Sequence, residues 1–179
     1  MDIFTAIHNR RSIRRYKPDM PDDETVKKLL DAARWAPSWA NTQCVRYVIV
    51  KDKATKEKLS AALSPGNPAA KAVLDAPLVV VFVAELGVAG CKKGLPVDDK
   101  AWYMFDTGVA MQNFALAAHA EGLGTVVCGA FDYKAAAQAT GVPVGFQVVA
   151  FTPLGFPDGG AKAPPRKEIG ELARYGNPE

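Results

Sequence analysis

One apolar run constrains the fold of this chain more than any other feature. Residues 77–84 read Pro-Leu-Val-Val-Val-Phe-Val-Ala, with no polar side chain at any position. A strand that faces water on one side alternates apolar and polar residues, whereas a strand covered on both faces is apolar throughout. The run therefore predicts a buried strand, with other parts of the chain packed on both of its faces.

Helical and extended patterns alternate along the rest of the chain. Apolar residues at helical spacing predict a helix between Pro21 and Pro37, and a longer one over residues 99–121 that is apolar on nearly every side. Further helices are predicted at residues 54–63 and 132–140, after Asn67-Pro68, and after Asp2. Further strands are predicted at residues 47–50, 125–128 and 146–151. This alternation indicates an α/β or α+β layered domain.

The two ends of the chain have distinct patterns. Asp2 is predicted to cap a first short helix whose apolar face is formed by Ile3, Phe4 and Ile7. The last 25 residues are rich in Gly, Pro, Lys and Arg, which predicts an extended segment that does not fold as an independent unit.

Composition excludes several classes of protein. The 179 residues fit one domain, and a net charge of +3 is too small for a dedicated nucleic-acid binder. No segment has the pattern of a signal peptide or a membrane span, so we expect a cytoplasmic protein.

With two histidines, and three cysteines at spacings that match no zinc motif, no metal site is expected. Cys44 and Cys128 are interpreted as small buried side chains, whereas the Gly-rich loop around Cys91 leaves a redox role open.

Cations are concentrated near the N-terminus, where five of the eight residues 10–17 are Arg or Lys. Guanidinium groups bind phosphate oxygens in pairs, and Ser12 adds a hydroxyl. A nucleic-acid contact or a solvated basic turn would have the same composition. The sequence therefore leaves three interpretations open, of which a phosphate site is the most specific.

A second candidate site lies between a helix end and a strand, where functional loops concentrate. Residues 36–43 read Ala-Pro-Ser-Trp-Ala-Asn-Thr-Gln, which combines a rigid proline, polar side chains and a flat indole. A planar heteroaromatic ligand would use such a set, although a capped turn explains it as well. No Gly-x-Gly-x-x-Gly motif opens a helix after a strand, and no Walker motif is present, so a dinucleotide-fold dehydrogenase and a P-loop enzyme are disfavoured.

Five segments, in this order along the chain, resemble the nitroreductase family of flavin proteins. They are Arg-Arg-Ser-Ile-Arg-Arg-Tyr at 10–16, the loop at 36–43, Asp-Thr-Gly-Val-Ala-Met-Gln-Asn at 106–113, Val-Cys-Gly-Ala-Phe at 127–131 and Pro-Pro-Arg-Lys-Glu-Ile-Gly-Glu-Leu at 164–172. The resemblance implies an α+β three-layer sandwich in which helices flank a mostly antiparallel central sheet. It also implies a single FMN-binding domain over residues 1–179 that forms an intertwined homodimer. The C-terminal segment, about residues 155–179, would extend onto the partner subunit.

The resemblance assigns residues to three parts of the FMN site. The phosphate and ribityl end would be held by Arg10, Arg11, Ser12, Arg14 and Arg166. The ring system would be lined, from the other subunit, by Pro37, Ser38 and Asn41. Cys128 and Gly129 would meet the flavin edge through backbone groups. The sequence does not distinguish which of Arg14 and Arg15 faces the phosphate, and a pair of surface residues is the alternative; we place Arg15 on the outside.

The resemblance also implies the chemistry. NADH or NADPH would reduce the flavin at N5 and leave, and an electron-poor acceptor such as a nitroaromatic or a quinone would then take the electrons in a ping-pong cycle, with no catalytic protein residue. Trp39, Trp102 and Tyr103 are assigned to the substrate pocket. The alternative is that Trp102 and Tyr103 are ordinary core residues. A flavin-binding protein of the same fold without reductase turnover, such as a sensor or carrier, is the alternative function. The physiological acceptor and the choice of NADH or NADPH stay open.

Overall fold

The computed structural model describes residues 1–92, 95–96 and 101–176. Its helices are α1 (Ile3–Asn9), α2 (Asp23–Arg34), α3 (Lys53–Ala62), α4 (Ala70–Asp75), α5 (Trp102–Ala120), α6 (Tyr133–Thr140) and α7 (Ile169–Leu172). Its strands are β1 (Val45–Val50), β2 (Leu78–Glu85), β3 (Cys91–Lys92), β4 (Leu95–Pro96), β5 (Gly124–Thr125) and β6 (Phe146–Gly155). Among the described residues, no helix combines the length and hydropathy needed to cross a membrane.

The main sheet has four strands in the order β1-β2-β6-β5, and each neighbouring pair is antiparallel. β2 is an inner strand, and its residues 78–84 are all buried, as the apolar run predicts. β6 continues past the predicted end of its strand, through Pro153 to Gly155. The sheet thus places the most apolar segment of the chain between two partner strands.

Side chains that alternate along β2 enter two separate cores. The even-numbered residues from 78 to 82 pack with Leu29 of α2 and Phe114 of α5 on one face of the sheet. The odd-numbered residues from 79 to 83 pack with Leu59 of α3, Val73 of α4 and Ala136 of α6 on the other face. The α+β three-layer sandwich predicted from the sequence is therefore confirmed.

The predicted strand at 125–128 is shorter in the structure, where β5 covers only Gly124–Thr125. The backbone N–H of Val126 donates to the Thr152 hydroxyl at 3.0 Å, instead of to a main-chain carbonyl of β6. Regular pairing therefore stops there, and the segment contacts β6 again only through a bridge between Cys128 and Phe151. The side chain of Val127 is consequently turned out, with 60% of its surface exposed.

We expect Thr152→Val to lower the free energy of unfolding by about 1–3 kcal/mol, because it leaves the buried Val126 N–H without an acceptor. Thr152 is 1% exposed, so water cannot replace the hydroxyl. The measurement is urea denaturation. Thr140→Val is the matched control, because the Thr140 hydroxyl accepts no hydrogen bond among the described residues and donates to the Ala136 and Ala137 carbonyls inside α6. Equal losses in the two variants would contradict the prediction.

The apolar face of α1 is largely exposed among the described residues. Asp2 caps this helix as predicted, by accepting from the Thr5 N–H at 3.0 Å. However, Ile3, Phe4 and Ile7 remain 56%, 71% and 47% exposed, and Ala6 is the buried residue of the helix. The prediction of the helix is confirmed, and its apolar face stays largely exposed in the part of the chain that the structure describes.

The C-terminal segment is likewise open to solvent. Every described residue from 158 to 176 is exposed. The segment nevertheless carries large apolar side chains, with Ile169, Leu172 and Tyr175 at 75%, 70% and 97% exposure. Most of the surface of these three side chains is therefore exposed on this protomer.

Candidate functional site

A cavity of about 300 Å³ brings together cationic residues from the two ends of the chain. It is lined by Arg10, Arg11, Ser12, Arg14, Ala161, Lys162, Pro164 and Arg166. The five residues that the resemblance assigns to the phosphate end all lie on this wall. We call this space the arginine cavity. Lys162 adds an ammonium group that the sequence analysis did not assign.

The arginine segment is fixed at this place by the edge of the sheet. Ser12 forms a parallel bridge with Thr125 of β5, and the Ile13 N–H donates to the Thr125 carbonyl at 2.9 Å. A Cβ atom on Gly124 would lie 2.7 Å from Cβ of Ile13, so only glycine allows this close approach. The pairing holds the arginine segment against the edge of the sheet and sets where its guanidinium groups project.

The charges in the arginine cavity are not compensated by acids. Among the described residues, no Asp or Glu forms an ion pair with any of its four arginines. Desolvation, and then the positive charges of Arg11 and Arg166, lower the pKa of Arg10. An anion in the cavity would relieve this repulsion, and a phosphate group has the oxygens that guanidinium groups bind best. The residues therefore fit a phosphate ligand.

Arg14 and Arg15 occupy different places. Arg14 lines both the arginine cavity and a neighbouring cavity beside Asp158, whereas Arg15 lines only the neighbouring one. The guanidinium of Arg15 packs on Gly159, where an added Cβ would lie 2.6 Å from Nη2. The structure thus separates two adjacent arginines that the sequence alone does not distinguish.

The second candidate region borders a cavity of about 350 Å³. The cavity is lined by Ala33, Arg34, Ala36, Pro37, Ser38, Thr42, Gln43, Val45, Arg46, Tyr47, Asp106 and Ala110. Of the residues assigned to the ring system, Pro37 and Ser38 line it, whereas Asn41 is exposed outside it. The two cavities share no lining residue, so the arginines and the loop at 36–43 border separate cavities of this protomer.

Asp106 organises this loop, although the sequence analysis did not select it as a site residue. It lies in the first turns of α5, and both of its carboxylate oxygens accept from the Trp39 N–H at 3.1 Å. The Ser38 hydroxyl accepts from the Gln43 N–H at 2.9 Å and closes the same turn. The signal that could have found Asp106 is in the sequence: it is the only acidic residue of α5, an otherwise uncharged helix apart from His119.

Cys128 and Gly129 lie at the end of the interrupted strand. The N–H of Cys128 donates to the Phe151 carbonyl at 2.9 Å, and its carbonyl accepts from the Phe151 N–H at 3.1 Å. The N–H and the carbonyl of Cys128 are thus engaged in the sheet, and Gly129 is exposed. The assignment of both residues to the flavin edge stays a prediction. Burial raises the pKa of the Cys128 thiol to about 12, and burial together with Asp106 raises that of Cys44 to about 11. Both cysteines are buried neutral side chains, as predicted.

The aromatic residues assigned to the substrate pocket lie around the start of α5. Trp39 is half-buried next to Asp106, and Trp102 and Tyr103 lie one turn earlier on the helix. The Trp102 ring packs on Gly90, where an added Cβ would lie 2.6 Å from Cδ1, and meets Phe105 edge to face at 5.7 Å. Trp102 and Tyr103 are both half-buried. Part of the loop before α5, residues 93–94 and 97–100, lies outside the described residues.

Comparison with protein-family models gives one match, to the model described as "Nitroreductase family", over residues 7–156. The matched range includes the arginine segment, the loop at 36–43 and all of β6. It ends before the C-terminal segment that carries Arg166.

Three proteins illustrate the similarity. A protein named NADH dehydrogenase from Thermus thermophilus is 30% identical over 184 residues, covering 88% of this chain and 87% of its own. A crystal structure of a nitroreductase family protein from Clostridium novyi NT superposes with a TM-score of 0.80 at 31% identity, covering 88% and 86%. NADPH:FMN oxidoreductase from Vibrio harveyi, solved in complex with NAD+, gives a TM-score of 0.84 at 25% identity, covering 98% of this chain and 77% of that one.

Proposed function

The chain belongs to the nitroreductase family, and on this premise we propose that it is an FMN-dependent oxidoreductase that takes electrons from NAD(P)H. Its acceptor is an electron-poor small molecule such as a nitroaromatic or a quinone. The observation that carries the proposal is the arginine cavity, where Arg10, Arg11, Arg14 and Arg166 converge without an acidic partner among the described residues. A cytoplasmic location fits an enzyme that draws on NADH or NADPH.

The cofactor is held at its phosphate by this cavity. Four guanidinium groups, the Ser12 hydroxyl and Lys162 offer more donors than one phosphate can accept, so some of these donors remain for the ribityl hydroxyls. Arg166 comes from the C-terminal segment, so the binding of FMN ties that segment to the N-terminal arginines.

The ring system is held by a second protomer. Pro37, Ser38 and Asn41 lie away from the arginine cavity of their own chain, and they complete the partner's site. The open apolar face of α1 and the exposed C-terminal segment supply the contact surface, because large apolar side chains at this exposure are typical of interfaces. We therefore include a homodimer in the proposal.

Bound FMN supplies the electron-transfer chemistry, which lets the protein act without a catalytic acid or base of its own. The residues of the chain position the ring, exclude water and stabilise charge. The cations of the arginine cavity favour an electron-rich cofactor through the same electrostatics that bind its phosphate. Donor and acceptor use the same open face in turn, which gives ping-pong kinetics.

The test is anaerobic titration of the purified protein, reconstituted with FMN, with NADH and NADPH. We expect the flavin absorbance to bleach, and to return when a nitroaromatic or a quinone is added. Released cofactor is identified by mass. A protein that binds FMN but is not bleached by either nucleotide is a flavin-binding protein without turnover, and a protein that does not take up FMN overturns the proposal.

A further inference from the structure

The turn formed by residues 38–43, which we call the strained turn, has an unusual backbone. Ala40, Asn41 and Gln43 have φ angles of 45°, 56° and 50°, in the left-handed region. Residues other than glycine adopt this region uncommonly, and of these three only asparagine is enriched there. Such a conformation persists only where the surrounding structure fixes it, and it concentrates at ligand sites. Three such residues within four positions therefore need an anchor.

Asp106 is that anchor. Both of its oxygens lie 3.1 Å from the Trp39 nitrogen, and the Cys44 thiol donates to Oδ2 at 3.6 Å. Trp39 and Cys44 stand directly before and directly after the segment that contains the three left-handed residues. One carboxylate on α5 thus holds both ends of the strained stretch.

Burying the Asp106 carboxylate carries a desolvation penalty that a purely structural contact does not require. Asp106 is 2% exposed, and no described Lys, Arg or His forms an ion pair with it. A buried carboxylate without a cation is unfavourable unless it is hydrogen-bonded. Its donors here are the Trp39 N–H and the Cys44 thiol, both from the ends of the turn. An apolar residue on α5 would avoid the desolvation penalty but would release the turn.

We propose that Asp106 is a positioning residue: its carboxylate holds the strained turn in the conformation that presents Pro37, Ser38 and Asn41 to the ring of the flavin. The inference rests on the proposed function, because it is there that these three residues face the ring. Asp106 acts through the backbone of Trp39. Its removal changes where the ring lies and leaves the phosphate end of the site intact.

The experiment compares Asp106→Ala and Asp106→Asn with Asn113→Ala. Asn113 is the matched control because it lies on the same helix and also makes one tertiary hydrogen bond, from Nδ2 to the Ala32 carbonyl at 3.2 Å. At saturating FMN, we expect kcat of Asp106→Ala to fall about 100-fold, the effect of displacing a reacting group by about 1 Å. Asp106→Asn keeps one oxygen for the Trp39 N–H, and its kcat falls less. Binding of inorganic phosphate to the arginine cavity stays unchanged in all three variants.

Hydrogen exchange gives a readout that does not depend on turnover. The Trp39 amide exchanges faster in Asp106→Ala than in the wild type, and stays protected in Asn113→Ala. If Asp106→Ala does not fold, the kcat of the isosteric Asp106→Asn decides, and a wild-type value overturns the proposal. A kcat of Asp106→Ala equal to that of Asn113→Ala, in protein that binds FMN, also overturns it. A wild type that binds no FMN overturns the proposed function instead, while exchange at Trp39 still tests whether Asp106 holds the turn.

Discussion

Replacing Arg14 with glutamate is expected to weaken the binding of FMN at least about 100-fold, because it removes a charged hydrogen bond to the phosphate and adds a repelling carboxylate. Arg14 lines the arginine cavity together with Arg10, Arg11 and Arg166, so the introduced acid would form ion pairs with these arginines and close the cavity to anions. The measurement is the dissociation constant of FMN, from quenching of flavin fluorescence.

Arg15→Glu is the matched control for that experiment. It makes the same change of charge at the next residue, but Arg15 packs on Gly159 outside the arginine cavity. Both variants alter the long-range field equally, so only a contact distinguishes them. Equal loss of FMN affinity in the two variants would show that the general positive charge of the segment, and not the cavity, holds the cofactor.

Replacing Phe4 with aspartate is expected to raise the dissociation constant of the proposed homodimer at least about 100-fold, because aromatic side chains at the centre of an interface carry much of its binding energy. Phe4 is 71% exposed on the apolar face of α1, beside Ile3 and Ile7. We expect FMN binding to weaken in parallel at low protein concentration, since the partner supplies the ring-binding loop. Sedimentation velocity over a range of concentrations measures the effect.

Val144→Asp controls for the added charge and for the loss of an exposed apolar side chain. Val144 is fully exposed on the turn before β6 and belongs neither to α1 nor to the C-terminal segment. We expect this variant to remain a dimer with normal FMN content. A Phe4→Asp protein that sediments like Val144→Asp would exclude α1 from the interface, and a monomeric wild type would remove the dimer from the proposal.

The layers of the fold could be predicted because their signal is local. The apolar run at 77–84 requires cover on both faces, and the structure supplies it with α2 and α5 on one side and α3, α4 and α6 on the other. The length of β5 could not be predicted in this way. Whether Val126 pairs with a carbonyl or with the Thr152 hydroxyl depends on a register that is set across the sheet.

In the candidate site too, the local features could be predicted from the sequence, whereas the features that depend on distant parts of the chain could not. The density of arginines near the N-terminus is visible in the sequence, and the family resemblance adds Arg166 to them. The place of Lys162 on the same cavity is a property of the tertiary fold that no motif indicated. The apolar face of α1 is also visible, but the pattern does not tell whether its cover belongs to the same chain. No turn motif marks Ala40 or Gln43 in the sequence, because their left-handed conformation is imposed by the contact of the loop with Asp106 across the fold.

The sheet order has a consequence for how the protein is made. β2 pairs with β1 on one side and with β6 on the other, and β6 begins only at Phe146, long after β2 ends at Glu85. During synthesis the most apolar strand of the protein therefore has one open edge until most of the chain has left the ribosome. Long-range pairing of this kind slows folding and exposes aggregation-prone surface. We therefore expect the nascent chain to be most prone to aggregation before β6 has been synthesised.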